Sequence, residues 1–454
     1  MENKFSLFKK PDLFKKSDTP FYKKEGFVKC IASILCVLAS LLICLIVLIF
    51  LDIQNGCENV FYEFGVMLSG GLSFSSTQGF FNILRDTAPL LCSGLAICFA
   101  YKSGMFNIGA AGQYVMGMFG GLLLALTTNC HWTLCILLAI VFGAIWGAIP
   151  GILKALFNVS EVIGGIMLNW IGLFFVNYSW QTYLRSCLNS KTGFKTNVVS
   201  GISKIPTIDF GSTSLSISII FAVVAAILVW FIMNKTILGF QLRASGLNKD
   251  ATKYAGMNEK RNIILSMAIA GGLAGLGGGL YYLSGISEWE GTISTSLPGV
   301  PWNGIVVAFI GQINPIATIV SSFFISFISY GAKFMTQNVF PSEIADLVTG
   351  IIVYLSGLST FLVVLINNNN KNKHIDKILA DIKLHHQEVV SGIKQLHTRI
   401  RLKTKKDNVE SSESINSVTD SANSKPSVEN IDIQNKDLKD ESINTNENSN
   451  KEDK

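Results

Sequence analysis

The stretch 263-IILSMAIAGGLAGLGGGLYYL-283 runs for 21 residues without a charged side chain. At roughly 1.5 Å per residue it makes a helix about 31 Å long, enough to cross the hydrocarbon layer of a bilayer. Its Gly271, Gly275 and Gly279 fall four residues apart. Such spacing lets helix backbones approach closely in lipid, where apolarity alone cannot drive helices together. The same spacing recurs at Gly117 and Gly121, and at Gly143, Gly147 and Gly151. These positions predict a tightly packed bundle, with interfaces that are either movable or static.

Working outward, similar apolar runs lie near 29–51, 87–101, 105–127, 132–153, 162–179, 215–233, 300–312, 315–332 and 344–366. With 263–283 they make ten candidate spans, and because 87–101 and 300–312 are short, nine remain possible. The expected fold is an all-α polytopic membrane protein of about ten transmembrane helices with a disordered polar C-terminal tail. Composition agrees, with 49% apolar and 15% charged residues overall. Asn314 and Pro315 favour a turn followed by a helix start, so 300–332 reads either as a broken or re-entrant helix or as a plain hairpin. The first run is longer than a signal-peptide core and lacks a following cleavage site, so it is expected to remain as an anchor.

Charge divides the chain into a basic arm over 1–28, a transmembrane domain over 29–366 with a polar loop at 234–262, and a polar tail. In the tail, Ile375, Ile382, Val389 and Leu396 repeat every seven residues beside Leu379, His386, Ile393 and Ile400, which predicts a heptad helix over 367–402. It reads either as a partner-binding element or as a surface helix, and 403–454 is too polar to form a core. Lysines and arginines are retained on the cytoplasmic side. The arm, Lys102, Lys154, six basic residues between 234 and 262 and the tail share one side of a ten-span topology, which predicts cytoplasmic termini. The loop at 180–214, with four basic residues, runs against this bias.

Several function classes are excluded or weakened. No G-x-x-x-x-G-K-[ST] loop occurs, so any ATP use is supplied by another chain. Nine scattered cysteines form no CxxC pair, and four of five histidines fall in the tail without ligand spacing, so neither metal nor cofactor is expected. No triad-like constellation supports catalysis, and no nucleic-acid partner is expected. Acidic residues are scarce inside the spans, with Asp86, Glu161, Glu343 and Asp346 placed toward predicted helix ends; this counts against an ion-coupled carrier of similar cargo. The interior instead holds Asn107, Gln113, Asn169 and Asn303. Neutral amides suit a small uncharged polar substrate, or they bond helix to helix.

The stretch 239-GFQLRASGLNKDATKYAGM-257 carries the second signal. Gly246 is expected to break the chain and Asn248 to cap a new helix, with Ala251, Tyr254, Ala255 and Met257 on one apolar stripe. This predicts a short amphipathic helix between two spans, either a plug for a motor protein's groove or an ordinary interfacial helix.

Together with 84-LRDTAPLLCSGLAICFAYKSGMFNIGAAGQ-113, 161-EVIGGIMLNWIG-172, 266-SMAIAGGLAGLGGG-279 and 302-WNGIVVAFIGQINPIA-317, this stretch resembles the permeases of bacterial nucleoside and simple-sugar ABC importers. The resemblance extends over about 84–366. It implies a cell-membrane subunit importing nucleosides, with simple sugars as the alternative cargo. Its implied partners are cytoplasmic ABC ATPase subunits, a second permease forming a heterodimer, an extracellular substrate-binding lipoprotein and the surrounding lipid. It also implies that residues 245–258 form the coupling helix, with Gly239, Arg243, Gly246, Asn248, Ala251, Tyr254 and Gly256 matching the motif, and it places Asn107 and Gln113 along the substrate pathway. Ala111 and Thr252 depart from the family pattern, where an acidic residue and an alanine are usual.

Overall fold

A computed structural model describes residues 25–55, 60–69, 77–211, 213–290 and 296–335, with isolated helical positions at Leu347, Gly350, Ile351, Tyr354 and Leu355. The basic arm before residue 25, the span expected at 344–366 apart from those five positions, the heptad helix and the polar tail lie outside the described residues.

The chain forms α1 (Glu25–Asn55), α2 (Val60–Leu68), α3 (Thr77–Lys102), α4 (Ala110–Thr127), α5 (Trp132–Phe157) and α6 (Glu161–Thr182). A loop with two short 3-10 turns leads to the antiparallel pair β1 (Thr207–Phe210) and β2 (Thr213–Ser216). Then follow α7 (Ser218–Lys235), α8 (Ile237–Leu247), α9 (Lys249–Tyr254), α10 (Glu259–Leu283), α11 (Gly299–Ile310) and α12 (Pro315–Met335). Among the described residues eight helices are long and apolar enough to span a membrane: α1, α3, α4, α5, α6, α7, α10 and α12. The protein is a polytopic helical membrane protein.

Three features depart from the expectation or sharpen it. The second span is longer than the apolar run 87–101, because α3 begins at Thr77 and carries Pro89 within it. Asp86 therefore lies well inside a helix rather than at its end, 3.6 Å from Arg85 and 3.6 Å from Lys333 of α12. Two flanking cations are what make a carboxylate tolerable at that depth. Second, α11 has 12 residues, about 18 Å of helix, so the hairpin it forms with α12 has one arm too short to cross. Third, α2 and the β-hairpin were not legible, since nine residues and two four-residue strands are below the length at which periodicity speaks.

α10 is the axis of the bundle, packed on α5, α4 and α3. Its glycines point three ways. A methyl group at Gly275 would lie 2.5 Å from the Ala139 carbonyl oxygen of α5, one at Gly278 2.3 Å from the Tyr114 oxygen of α4, and one at Gly277 3.0 Å from the Pro89 oxygen of α3. From the other side, a methyl at Gly117 would meet the Gly275 Cα at 2.2 Å. These helices touch backbone to backbone, which explains why six of the nine residues 271–279 are glycine at a cost in helix propensity of roughly 1 kcal/mol per residue.

Overpacking of this seam gives a direct check. Gly275→Leu is expected to cost more than about 3 kcal/mol, since backbone rather than flexible side chain blocks the added atoms. The yield of monodisperse protein in detergent should collapse, whereas Gly65→Leu, with open space around it, should leave yield and melting temperature unchanged.

Candidate functional site

At the end of the bundle where α3 finishes with Lys102, the chain from Thr236 to Arg261 is folded by a series of short polar caps. Thr236 Oγ1 accepts from the Gly239 amide at 3.1 Å to start α8, directly after α7. The turn is tight: a methyl at Gly239 would lie 2.1 Å from the Ile232 carbonyl oxygen. Arg243 Nε donates to the Gly239 oxygen at 3.4 Å. α8 ends at Asn248, whose side chain accepts from the Ala251 amide at 3.0 Å and opens α9. α9 closes in a Schellman arrangement: Gly256 has φ +76°, its amide bonds to the Lys253 oxygen, and the Met257 amide reaches back to the Thr252 oxygen. Asn258 then caps α10 by accepting from the Arg261 amide at 3.0 Å.

Burial turns α9 in an unexpected direction. Thr252 is 2% exposed and faces the bundle, with its hydroxyl donating to the Asn248 oxygen at 2.8 Å. The apolar stripe faces away. Tyr254 is 93% and Leu247 89% exposed, and Ala251 and Ala255 are exposed beside them, while Met257 is half-buried and does not join that face. Only Thr252 turns inward, Asp250 and Lys253 are exposed as well, and nothing among the described residues covers the face that carries the tyrosine.

Gly246 corrects the sequence reading. It does not break the chain but sits in the last turn of α8, and the break comes two residues later at Asn248. Glycine is needed there because a methyl group would lie 2.5 Å from the Ser103 carbonyl carbon and 2.6 Å from the Gly104 nitrogen. Gly104 is itself the left-handed residue closing α3, at φ +74°, with the Met105 amide bonded to the Ala100 oxygen. Sequence reasoning passed over Ser103 and Gly104, although a glycine following the last lysine of an apolar run is the usual signature of a helix C-terminus.

The loop 103–109 leads into the interior amides. Asn107 Nδ2 donates to Gln113 Oε1 at 2.7 Å, and Gln113 Nε2 donates to Asn107 Oδ1 at 2.9 Å. Asn169 of α6 accepts from the Gly112 amide at 2.7 Å and donates to the Ile108 oxygen at 3.0 Å. All three are fully buried. The structure thus brings Asn107, Gln113 and Asn169 into one knot, each using its polar atoms on protein. Asn303 on α11 stands apart, half-buried and without a side-chain hydrogen bond among the described residues. Lys154 and Glu161 form an ion pair across the α5–α6 turn at this same end. At the opposite end, a crevice of about 260 Å³ opens between residues 196–199 and 285–288. Nearby, Lys195 donates to Glu290 at 2.9 Å, and that bond raises its pKa.

The family described as branched-chain amino acid transport system permease component matches residues 79–357. The chain belongs to this family. It is 34% identical over 305 residues to the nucleoside ABC transporter permease protein NupB of Lactococcus lactis subsp. cremoris (strain MG1363), covering 65% of this chain and 83% of that protein. It is 36% identical over 276 residues to the guanosine ABC transporter permease protein NupP of Bacillus subtilis (strain 168), covering 60% and 78%. The glucose ABC transporter permease protein TsgB13 of Haloferax volcanii is 27% identical over 320 residues, covering 66% and 80%. No solved structure matches the chain. The permease family match ends near the limit of the described residues and includes both the amide knot and α9.

Removing one member of a reciprocal buried amide pair strands the other. Asn107→Ala and Gln113→Ala should each lower stability in detergent by about 1–3 kcal/mol, and the double variant should cost clearly less than their sum. Asn248→Ala should cost about 1 kcal/mol by loss of the α9 cap, read as faster amide exchange over 249–255.

Proposed function

We propose that the chain is the membrane-spanning permease subunit of an ABC importer for nucleosides, and that α9 is its plug into a separate cytoplasmic ATPase. The observation that carries this reading is the outward face of α9, where Leu247, Ala251, Tyr254 and Ala255 are exposed while Thr252 is buried. A groove on a motor subunit would cover those side chains and hold the helix by its aromatic tip. Gly239, Arg243, Gly246, Asn248 and Gly256 fix the presentation of that tip by the turns and caps described above. Hydrolysis is then supplied in trans, since the sequence carries no phosphate-binding loop of its own.

The nucleoside reading is supported by the higher identity to permeases named for nucleosides and guanosine than to the one named for glucose. The excess of basic residues around α8 and α9 supports a cytoplasmic position for that end, and the basic arm and tail support the same for both termini, in a cell whose plasma membrane the bundle spans. A second permease completes the membrane unit, and an extracellular lipoprotein delivers cargo to the opposite end. Among the interior amides, Asn303 is the one with its carboxamide free for cargo among the described residues. Asn107, Gln113 and Asn169 reach the pathway only when their knot opens in another state of the transport cycle. The ion-coupled alternative has little to stand on at Asp86, which lies between Arg85 and Lys333.

The test is ATP-driven guanosine uptake by the reconstituted complex. Tyr254→Asp should lower uptake at least about tenfold and weaken copurification of the ATPase, as expected for loss of an aromatic anchor worth about 2 kcal/mol or more. Asn303→Leu should lower uptake while leaving the ATPase bound. Full uptake by the Tyr254→Asp complex, or guanosine uptake by the chain alone on an ion gradient, would defeat the reading.

A further inference from the structure

We propose that the backbone contact between Gly246 of α8 and Gly104 of the α3–α4 loop is the joint through which displacement of α9 enters the helix bundle, passing to the Asn107–Gln113–Asn169 knot. The proposal rests on the reading of α9 as the motor-docking element and names where its movement goes next.

The geometry is unusually direct. Neither glycine has room for a methyl group: one at Gly104 would lie 2.4 Å from the Gly246 Cα and 2.8 Å from its oxygen. Main chain therefore touches main chain, with no flexible side chain between them to absorb a shift. On the motor side, α9 is capped at both ends by Asn248 and Gly256 and is joined to α8 by Asn248 alone, so a shift of α9 has one residue in which to dissipate before it reaches α8. On the bundle side, the loop 103–109 is held along its length. Met105 packs with Ile263 and Met267 of α10, the reciprocal amides tie Asn107 to Gln113 in the first turn of α4, and Asn169 clamps the Ile108 oxygen and the Gly112 amide from α6. A methyl at Gly109 would lie 3.2 Å from the Gly165 Cα, and one at Gly112 2.8 Å from the Asn169 Cα, so the loop has no slack against α6 either.

A push on α8 at Gly246 is consequently handed to the start of α4 and to α6 rather than dissipated. Competing routes exist: Asn262 of α10 donates to Ser245 Oγ at 2.8 Å, α8 meets α7 backbone to backbone at Gly239, and α9 runs on into α10 through Asn258. Only the route through Gly104 depends on the absence of a side chain at position 246. In this account Gly104 and Gly246 are positioning residues: they touch neither cargo nor motor.

The deciding variant is Gly246→Ala, which suits a helix and forces the two backbones apart at this contact while leaving the residues that cap and face α9 unchanged. It is compared with the wild-type chain in the complete complex with ATPases and binding protein, in proteoliposomes. Two quantities are followed: guanosine taken up per ATP hydrolysed, and amide hydrogen exchange with and without ATP. In the wild type, ATP should alter exchange over both 245–258 and 105–113. With Gly246→Ala the change over 245–258 should persist, that over 105–113 should vanish, and uptake per ATP should fall about tenfold. A variant with wild-type uptake per ATP, or a wild type in which ATP alters 245–258 and leaves 105–113 unchanged, overturns the joint and leaves the docking reading standing, with the competing routes favoured. A wild type in which ATP alters nothing over 245–258 overturns the docking reading and the joint together. Should the variant fail to assemble, the wild-type exchange comparison alone decides between these outcomes.

Discussion

In a bilayer, helices gain nothing from hiding apolar surface from one another, so the bundle depends on how closely their backbones can approach. α10 meets that demand on three sides at once. Its contacts with Ala139, Tyr114 and Pro89 leave space for hydrogen atoms and little more, and each substitutes dispersion and Cα–H···O contact for the missing hydrophobic drive. The charge-free run that carries these glycines is therefore both a span and the central mating surface.

A core packed in this way moves as a block, which shapes what the rest of the protein can do. Close-packed interiors shift between discrete arrangements rather than deforming smoothly. At the Lys102 end, α8 and α9 are short, capped helices that meet this block through tight backbone contacts at Gly239 and Gly246. The interior amides belong to the block in this state, since Asn107, Gln113 and Asn169 each donate to and accept from a protein partner. Their energetic consequence is specificity of fit between the α3–α4 loop, α4 and α6. A polar group left unmatched in so dry a setting costs more than the net gain of the bond itself.

Two readings illustrate where sequence pattern stops. The stripe Ala251, Tyr254 and Ala255 was legible from spacing, yet spacing does not say whether a stripe faces in or out. The burial of Thr252 and the exposure of Tyr254 settle that only once α8 and α10 are in place on either side. Asp86 was misplaced because the hydropathy of 87–101 hid a helix that begins at Thr77. Polar residues such as Gln78 and Asn82 belong to that helix because they find partners at Ser214 and Tyr330, far away in the chain.

The sequence by itself determined the membrane class, most of the spans, the small-residue seams and the capped segment at 248–256, since each follows from local spacing, charge and turn chemistry. Tertiary structure decided that Gly246 meets Gly104 instead of breaking a helix, that Asn107 and Gln113 bond to each other while Asn169 holds the backbone beside them, and that α9 shows its tyrosine to the outside. Those outcomes depend on which distant backbones come into contact, and the energy of such a contact lies in geometry that no single stretch of residues contains.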